Sequence, residues 1–148
     1  MLVEEMILIS GEVARTTAFE RGYPIHYARR SHGWEPDPLI HDDQCAIIHV
    51  RRKGLVIITG CGHAGVINTV RHAQALTGVD KVHAIIGGFH LSGTLFDPLV
   101  APTVAALKGI APELIVPAHC TGWRATHAIA REFPDAFVQN SVGTHFLL

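Results

Sequence analysis

The stretch GLVIITGCGH, residues 54–63, decides how this chain folds. Its apolar and β-branched residues are typical of a buried strand, and a glycine-cysteine-glycine turn then leads directly to His63. Two later stretches have the same design, VHAIIGGFH at 82–90 and LIVPAHC at 114–120. The sequence therefore predicts three strands that each end next to a histidine.

The segments between these strands change to the hydrophobic period of a helix. That period predicts helices over 64–78 and 97–108, and a third over 122–133. Residues with capping chemistry mark the helix ends: Gly78, Asp97 with Pro98, Gly109 and Thr121. From residue 54 onward the order is β-α-β-α-β-α-β. Right-handed crossovers make such strands parallel and bring their carboxyl ends to one edge of the sheet.

The remaining elements complete a single predicted domain over residues 1–148, of the mixed α/β class. They are a strand at 5–10, a polar loop at 15–43, an antiparallel hairpin of 45–50 with 55–59 and Gly54 in its turn, and closing strands at 137–138 and 145–148. A loop as long as 15–43 is often functional.

The composition argues against several classes of partner. With 48% hydrophobic residues the chain can bury a core, and a net charge of −1 leaves no basic face for nucleic acid or an anionic membrane. The apolar runs are too short to cross a bilayer, and no leader pattern follows Met1. The cysteines Cys45, Cys61 and Cys120 fit reduced thiols better than disulfides. We therefore expect a soluble, cytoplasmic protein.

Three of the 11 histidines form the candidate metal site: His63, His90 and His119. Ligand sites of parallel sheets collect at the carboxyl ends of the strands. Neighbouring strands are about 4.8 Å apart, so imidazoles from adjacent strand ends can share one ion at about 2.0–2.1 Å. Imidazole ligands suit zinc, with iron and manganese as alternatives.

Other residues near these histidines are accessory candidates: Cys61, Cys120, Asp42, Asp43 and Glu12. The two cysteines are either small buried apolar residues or thiolate ligands, which would favour zinc. The three carboxylates either lie in solvent or lie close to the metal. Two interpretations without a metal also stay open, a cysteine nucleophile at Cys61 and a phosphate cradle formed by residues 60–62.

Several stretches together resemble the metallo-β-lactamase-fold hydrolases, most of all the subgroup similar to 7,8-dihydropterin-6-methyl-4-(ribofuranosyl)aminobenzene 5'-phosphate synthase. The matching stretches are ISGEV at 9–13, WEPDPLIHDDQ at 34–44, TGCGHAGVINTV at 59–70, IIGGFHL at 85–91, PAHCTGW at 117–123 and NSVGTHF at 140–146. They cover nearly the whole chain. The resemblance is to the carboxyl-terminal half of that fold.

The resemblance implies half of an αββα sandwich, a mixed sheet with helices on one face. It implies that His63 matches the third metal motif and His119 the last, while His90 stands where the fold usually has a bridging aspartate. The first metal motif, H-x-H-x-D-H, belongs to the amino-terminal half. It does not occur in these 148 residues.

Two classes of function follow from the resemblance. One is a hydrolase half-domain in which a metal-bound hydroxide attacks a phosphoester or ester of a small molecule. Its site would be completed by homodimerisation or by a separately encoded first half. The other is a truncated, catalytically silent half-domain that serves as a binding or structural module.

Overall fold

A computed structural model describes residues 7–148 of the chain. Its strands are β1 Ile7–Ile9, β2 Tyr27–Arg30, β3 Gly33–Pro36, β4 Cys45–Val50, β5 Gly54–Thr59, β6 Val82–Gly88 and β7 Leu114–Ala118. Its helices are α1 Val66–Thr77, α2 Val100–Ile110 and α3 Trp123–Glu132, with a 3-10 turn at Asp97–Leu99 before α2. Residues 5 and 6 of the strand predicted at 5–10 lie outside the described part.

Five strands form one mixed sheet in the order β1-β4-β5-β6-β7. Strands β1, β4 and β5 pair antiparallel, whereas β5, β6 and β7 pair parallel through the crossover helices. The predicted hairpin and the predicted parallel strands are both confirmed. The carboxyl ends of β5, β6 and β7 therefore share one edge of the sheet.

One face of the sheet carries the main hydrophobic core. The strand register aligns five apolar residues across it: Leu8, Ile47, Ile57, Ile85 and Ile115. They pack with buried residues of the helices, among them Val70, Leu107 and Ile129. Because both crossovers lie on this side, the structure has its helices on one face, as expected for half of a sandwich fold.

The opposite face of the sheet is also apolar. Two further rows cross all five strands there, Ile7–Ile48–Val56–Ala84–Leu114 and Ile9–Ala46–Ile58–Ile86–Val116. Val56 on the central strand β5 and Val116 on the edge strand β7 are fully buried, while Ile58 and Ile9 stay 39% and 40% exposed. Strands with apolar residues on both faces are typical of sheets that are covered on both sides.

Two of the predicted helix caps are wrong. Thr121 does not cap α3, because its hydroxyl accepts the backbone N–H of Phe89 at 3.3 Å, and Gly122 stands at the N-cap instead. Asp97 does not cap α2 either, since α2 begins only at Val100 and the Asp97 carboxylate pairs with Arg124 at 3.0 Å. Both side chains are used in tertiary contacts.

Three further boundaries also differ from the prediction. Helix α2 runs through Gly109 to Ile110, where Ala111 takes the left-handed φ of 51°. Gly54 begins β5 rather than lying in the turn, which is formed by residues 51–53. The closing strands are wrong except for one parallel bridge between Ile115 and Phe137, and residues 145–148 form no strand.

The long polar loop contains a hairpin that the sequence did not predict, β2 paired with β3. Both strands carry mostly exposed residues, so they lack the apolar alternation that marks a strand in sequence. No helix within residues 7–148 is both long enough and apolar enough to span a membrane.

Candidate metal centre at the carboxyl edge of the sheet

The three predicted histidines follow three adjacent strands of the sheet. His63 comes after β5, His90 after β6 and His119 directly after β7. The placement at one edge is as predicted, and it follows from the parallel pairing of these strands. Their side chains, however, fall into two neighbouring groups.

Close backbone packing at two glycines holds this edge together. A Cβ added to Gly88 would stand 2.5 Å from Cys120 Sγ and 2.8 Å from His119 Cε1. A Cβ added to Gly62 would stand 2.6 Å from the carbonyl oxygen of Gly88. Real side chains do not tolerate such distances, so glycine at both positions lets the strand exits approach one another.

The first group consists of His63 and His90 with Asp43. The two imidazole rings meet edge to face, with centroids 4.4 Å apart and planes at 72°. Asp43 Oδ1 lies 3.8 Å from His63 Nδ1, and Asp43 Oδ2 accepts the backbone N–H of Ala64 at 2.8 Å. The carboxylate is thus fixed beside His63, as a charged neighbour rather than a hydrogen-bond partner.

His90 combines a rare backbone conformation with a buried ring nitrogen that is unpaired in the described part of the chain. Its backbone φ is 44°, in the left-handed region that non-glycine residues rarely adopt. Its Nδ1 is buried and has no hydrogen-bond partner within the described residues. Burial, and then the neighbouring His63, lower the pKa of His90. The imidazole is therefore kept neutral, which is the form that binds metals.

Aromatic rings surround the other sides of His90. Phe96 and Tyr23 have their ring centroids 4.7 Å and 5.2 Å from that of His90. A buried imidazole nitrogen without a partner is costly in such surroundings. A backbone outlier and an unpaired polar atom at one residue are typical of a functional position.

The second group consists of Cys61, His119 and Cys120. Cys61 Sγ lies 3.2 Å from His119 Nε2, and the Cys120 thiol donates to the carbonyl oxygen of Cys61 at 3.2 Å. The three donor atoms all lie within 4.8 Å of one another. Burial raises the pKa of Cys120 to about 11. His119 also contributes to the lowered pKa of His90, so the two groups are neighbours.

The donor chemistry of this edge fits a divalent metal ion. It combines imidazole, carboxylate and thiol groups, and the Nδ1 of His90, unpaired among the described residues, is a polar atom that a bound ion would satisfy. The ligation of one ion by His63, His90 and His119 together stays a prediction.

Only one of the three acidic candidates lies within a donor group. Asp43 lies in the first group, whereas Glu12 pairs with His41 at 2.5 Å in an exposed contact. Asp42 lines an open cavity of about 420 Å³ that also includes Asp43 and His63. This cavity gives His63 access to solvent.

The polar loop at 15–43 is anchored to the site by residues that the sequence did not single out. Arg15 donates to the carbonyl oxygens of His63, at 3.3 Å, and Leu39. Glu20 accepts the backbone N–H groups of Ile67 and Asn68, at 2.9 Å and 2.7 Å, at the start of α1. No motif or period marks residues in an irregular loop, so the sequence carried no signal for them.

Asn68 completes this anchor from the helix side. Its fully buried Oδ1 accepts the N–H groups of Thr16 and Thr17, both at 2.8 Å, and its Nδ2 donates to the carbonyl oxygens of Glu20 and Ala64. The loop therefore lies in a fixed position over the amino end of α1, next to His63.

A second open cavity, of about 330 Å³, flanks His119. The exposed indole of Trp123 and the side chains of Gln139 and Asn140 line it. The edge of the sheet thus has solvent-accessible space on the side of each donor group.

No family model matches the sequence. The chain is 35% identical over 102 residues to the 7,8-dihydropterin-6-methyl-4-(beta-D-ribofuranosyl)-aminobenzene-5'-phosphate synthase of Methanocaldococcus jannaschii, a match that covers 69% of this chain and 34% of that protein. It is 30% identical over 141 residues to an uncharacterised protein of the same organism, covering 95% of this chain and 49% of that one.

A solved structure matches over almost the whole chain. It is the crystal structure of Tm1679, a metal-dependent hydrolase of the beta-lactamase superfamily, with a TM-score of 0.83 and 26% sequence identity. The match covers 99% of this chain and 55% of that one. The chain thus spans between a third and about half of the length of the proteins it matches.

Proposed function

This chain has the fold of the metallo-β-lactamase superfamily, and from that premise we propose that it is one half of a metal-dependent hydrolase. The substrate class that we propose is a phosphoester or ester of a small molecule. The metal is a divalent ion, with zinc first and iron or manganese as alternatives. Free thiols at all three cysteines support a reducing compartment such as the cytoplasm.

The observation that carries the proposal is the contact between His63 and His90. Two imidazoles from different strand ends approach to 4.4 Å between centroids, and the buried Nδ1 of one of them lacks a partner among the described residues. A structural pair of histidines would place its polar atoms against partners or in water. Asp43 adds negative charge on the side of His63, as metal-binding histidines commonly have.

The residues of this chain would hold and orient the reacting groups. A divalent ion held by these residues would supply an activated water and would polarise a phosphoryl or carbonyl oxygen. Asp43 places a carboxylate oxygen 3.8 Å from His63 Nδ1, and burial keeps His90 neutral. Arg15 and the anchored loop fix the backbone of the β5–α1 turn, which sets the position of His63.

The name of the curated relative supports the substrate class. That protein is named as a synthase of a 5'-phosphate compound with a pterin and an aminobenzene group. The two cavities that flank the histidines leave space for a small molecule on the solvent side. Trp123 offers an exposed aromatic face beside His119.

We propose that a second sheet completes the site, either from a second copy of this chain or from a separately encoded amino-terminal half. The support is the pair of apolar rows on the sheet face opposite the helices, where Ile58 and Ile9 are exposed. An extended apolar face of this kind usually belongs to an interface.

A catalytically silent binding or structural module is the second candidate. The observation that favours it is the missing H-x-H-x-D-H motif, which leaves no more than part of the family's ligand set in these residues. Such a module would keep the fold and its metal ligands without turnover.

Hydrolysis of a chromogenic phosphodiester and a chromogenic ester separates the two candidates. We expect metal-loaded wild type to give slow turnover that requires the ion, because misplaced reacting groups cost on the order of 10²-fold in rate. His63→Ala should abolish that turnover. His145→Ala, near the exposed carboxyl end, should retain it. Turnover that is unchanged in His63→Ala would contradict the hydrolase. Turnover that is absent from a dimeric wild type would contradict completion of the site by a second copy, and it would favour the silent module unless a separately encoded half restores activity.

A further inference from the structure

The donor group around Cys61 is not explained by the proposed hydrolase site. The proposed function uses the imidazoles of His63, His90 and His119. It gives no role to the two thiols, although both are close to His119. Within residues 7–148, Cys61, His119 and Cys120 are also the one trio of His, Cys, Asp or Glu donors that lie mutually within 4.8 Å.

The distances suit a tetrahedral ion with mixed sulfur and nitrogen ligands. Metal–sulfur and metal–nitrogen bonds of zinc are about 2.3 Å and about 2.0–2.1 Å, so ligand atoms around one ion are roughly 3.5–4 Å apart. Cys61 Sγ and His119 Nε2 are already 3.2 Å apart, and Cys120 Sγ lies within 4.8 Å of both. Small rotations of the exposed His119 and the half-buried Cys61 and Cys120 side chains would bring the three donor atoms to these distances.

The backbone is also shaped to leave room for these donors. The missing Cβ of Gly88 would collide with both Cys120 Sγ and His119 Cε1, so the glycine keeps these two donor side chains in place beside each other. Cys61 and Cys120 come from different turns, after β5 and β7. The fold thus places two thiols from distant parts of the chain beside the same imidazole, which favours a shared ligand over two separate structural roles.

We propose that Cys61, His119 and Cys120 form a thiol-rich site that binds a soft divalent ion, zinc above all. On binding, each thiol releases its proton to solvent and the sulfur bonds to the ion. Thiolate ligands select zinc over magnesium, calcium or manganese. The proposal shares His119 with the proposed function but does not depend on hydrolysis.

Cobalt(II) titration of the reduced, metal-free chain tests this site. Cobalt bound through thiolate gives an intense sulfur-to-metal charge-transfer band in the near ultraviolet, which imidazole and carboxylate ligands do not give. We expect the band in wild type, at close to one equivalent, and its loss on addition of zinc. A phosphine reductant keeps the thiols from pairing as a disulfide.

Variants identify the ligands. Cys61→Ala and Cys120→Ala should each weaken the band several-fold, and the double variant should lack it. Cys45→Ala is the matched control, since Cys45 lies in the hydrophobic core and not in the trio, and it should keep the band. His63→Ala should also keep the band, while it removes the turnover predicted above. A wild type without the band, or a double variant that retains it, would overturn the thiol site.

X-ray absorption of the zinc-loaded wild type gives a second readout that needs no variant. Sulfur scatterers at about 2.3 Å are expected. A shell of nitrogen and oxygen alone at about 2.0–2.1 Å would overturn the inference and leave the imidazole site of the proposed function intact.

Discussion

The imidazole rings of His63 and His90 meet edge to face with their centroids 4.4 Å apart, although 26 residues and the whole of helix α1 separate them in sequence. The contact exists because parallel strands β5 and β6 are neighbours and end at the same edge. It depends on glycines that let the two strand exits touch. The same geometry has measurable consequences for metal binding and stability.

Gly88→Ala should disrupt the metal centre. The new Cβ would stand 2.5 Å from Cys120 Sγ and 2.7 Å from the carbonyl oxygen of Gly60, so the strand exits must move apart. We expect a loss of about 1–3 kcal/mol in the free energy of unfolding, as for other overpacked sites. Metal content, measured by elemental analysis, should fall with it.

Gly109→Ala is the matched control for this substitution. Gly109 lies within α2, and a Cβ added there would have no neighbouring atom within 4 Å, so alanine fits without strain. Alanine is the better helix former by about 0.5–1 kcal/mol, and chemical denaturation should show a gain of that order with unchanged metal content. Equal metal content in both glycine variants would contradict the role given to Gly88.

Glu20 should make stability depend on pH. Burial is the main cause that raises the pKa of its carboxyl above the ordinary value of 4.5, although Ile67 and Asn68 donate backbone N–H groups to it. The folded state therefore holds the proton more tightly than the unfolded chain. That contribution is complete below about pH 4.5 and is lost as the pH rises through the folded pKa.

Denaturant unfolding across this pH range measures the effect. Glu20→Gln removes the titrating group, so its unfolding free energy should fall less steeply with rising pH than that of wild type. Glu35→Gln, on the exposed strand β3, is the control and should follow wild type. A Glu20→Gln profile parallel to wild type would show that the carboxyl does not titrate differently in the folded state.

The apolar sheet face predicts self-association. We expect a homodimer in which a two-fold axis relates the two sheets. Light scattering coupled to size exclusion at micromolar concentration should then give twice the mass of one chain. Ile58→Glu should shift the protein to monomer, because it places a charge in an exposed apolar row. Leu76→Glu should stay dimeric, because Leu76 is at least as exposed as Ile58 but lies on helix α1. A monomeric wild type that binds no hydrophobic dye would contradict the interface.

Much of the fold was predictable because its signals are local and periodic. Strands β4–β7 are short, mostly apolar runs, and α1 ends at Gly78 in the left-handed conformation as predicted. The expected family fold is confirmed by the structural match. The prediction that Thr121 caps α3 is wrong because its hydroxyl accepts a hydrogen bond from the backbone N–H of Phe89. Sequence patterns do not report contacts of that kind.

The site was predictable only in part. That the three histidines share an edge follows from strand order alone. Their division into two groups depends on how each turn directs its side chain, and here Cys61 rather than His63 reaches His119. Arg15 and Glu20 act from an irregular loop whose course is fixed only by tertiary hydrogen bonds. No spacing rule relates them to the strand ends.

Elemental analysis of metal in the purified chain tests the central claim most directly. We predict a bound divalent metal in wild type, with the ion of the imidazole site lost in His63→Ala and most of the total metal lost in His119→Ala. His145→Ala should retain the wild-type content, and circular dichroism should show all four proteins folded. Folded His63→Ala and His119→Ala proteins with the same metal content as wild type would contradict a metal centre at this edge of the sheet.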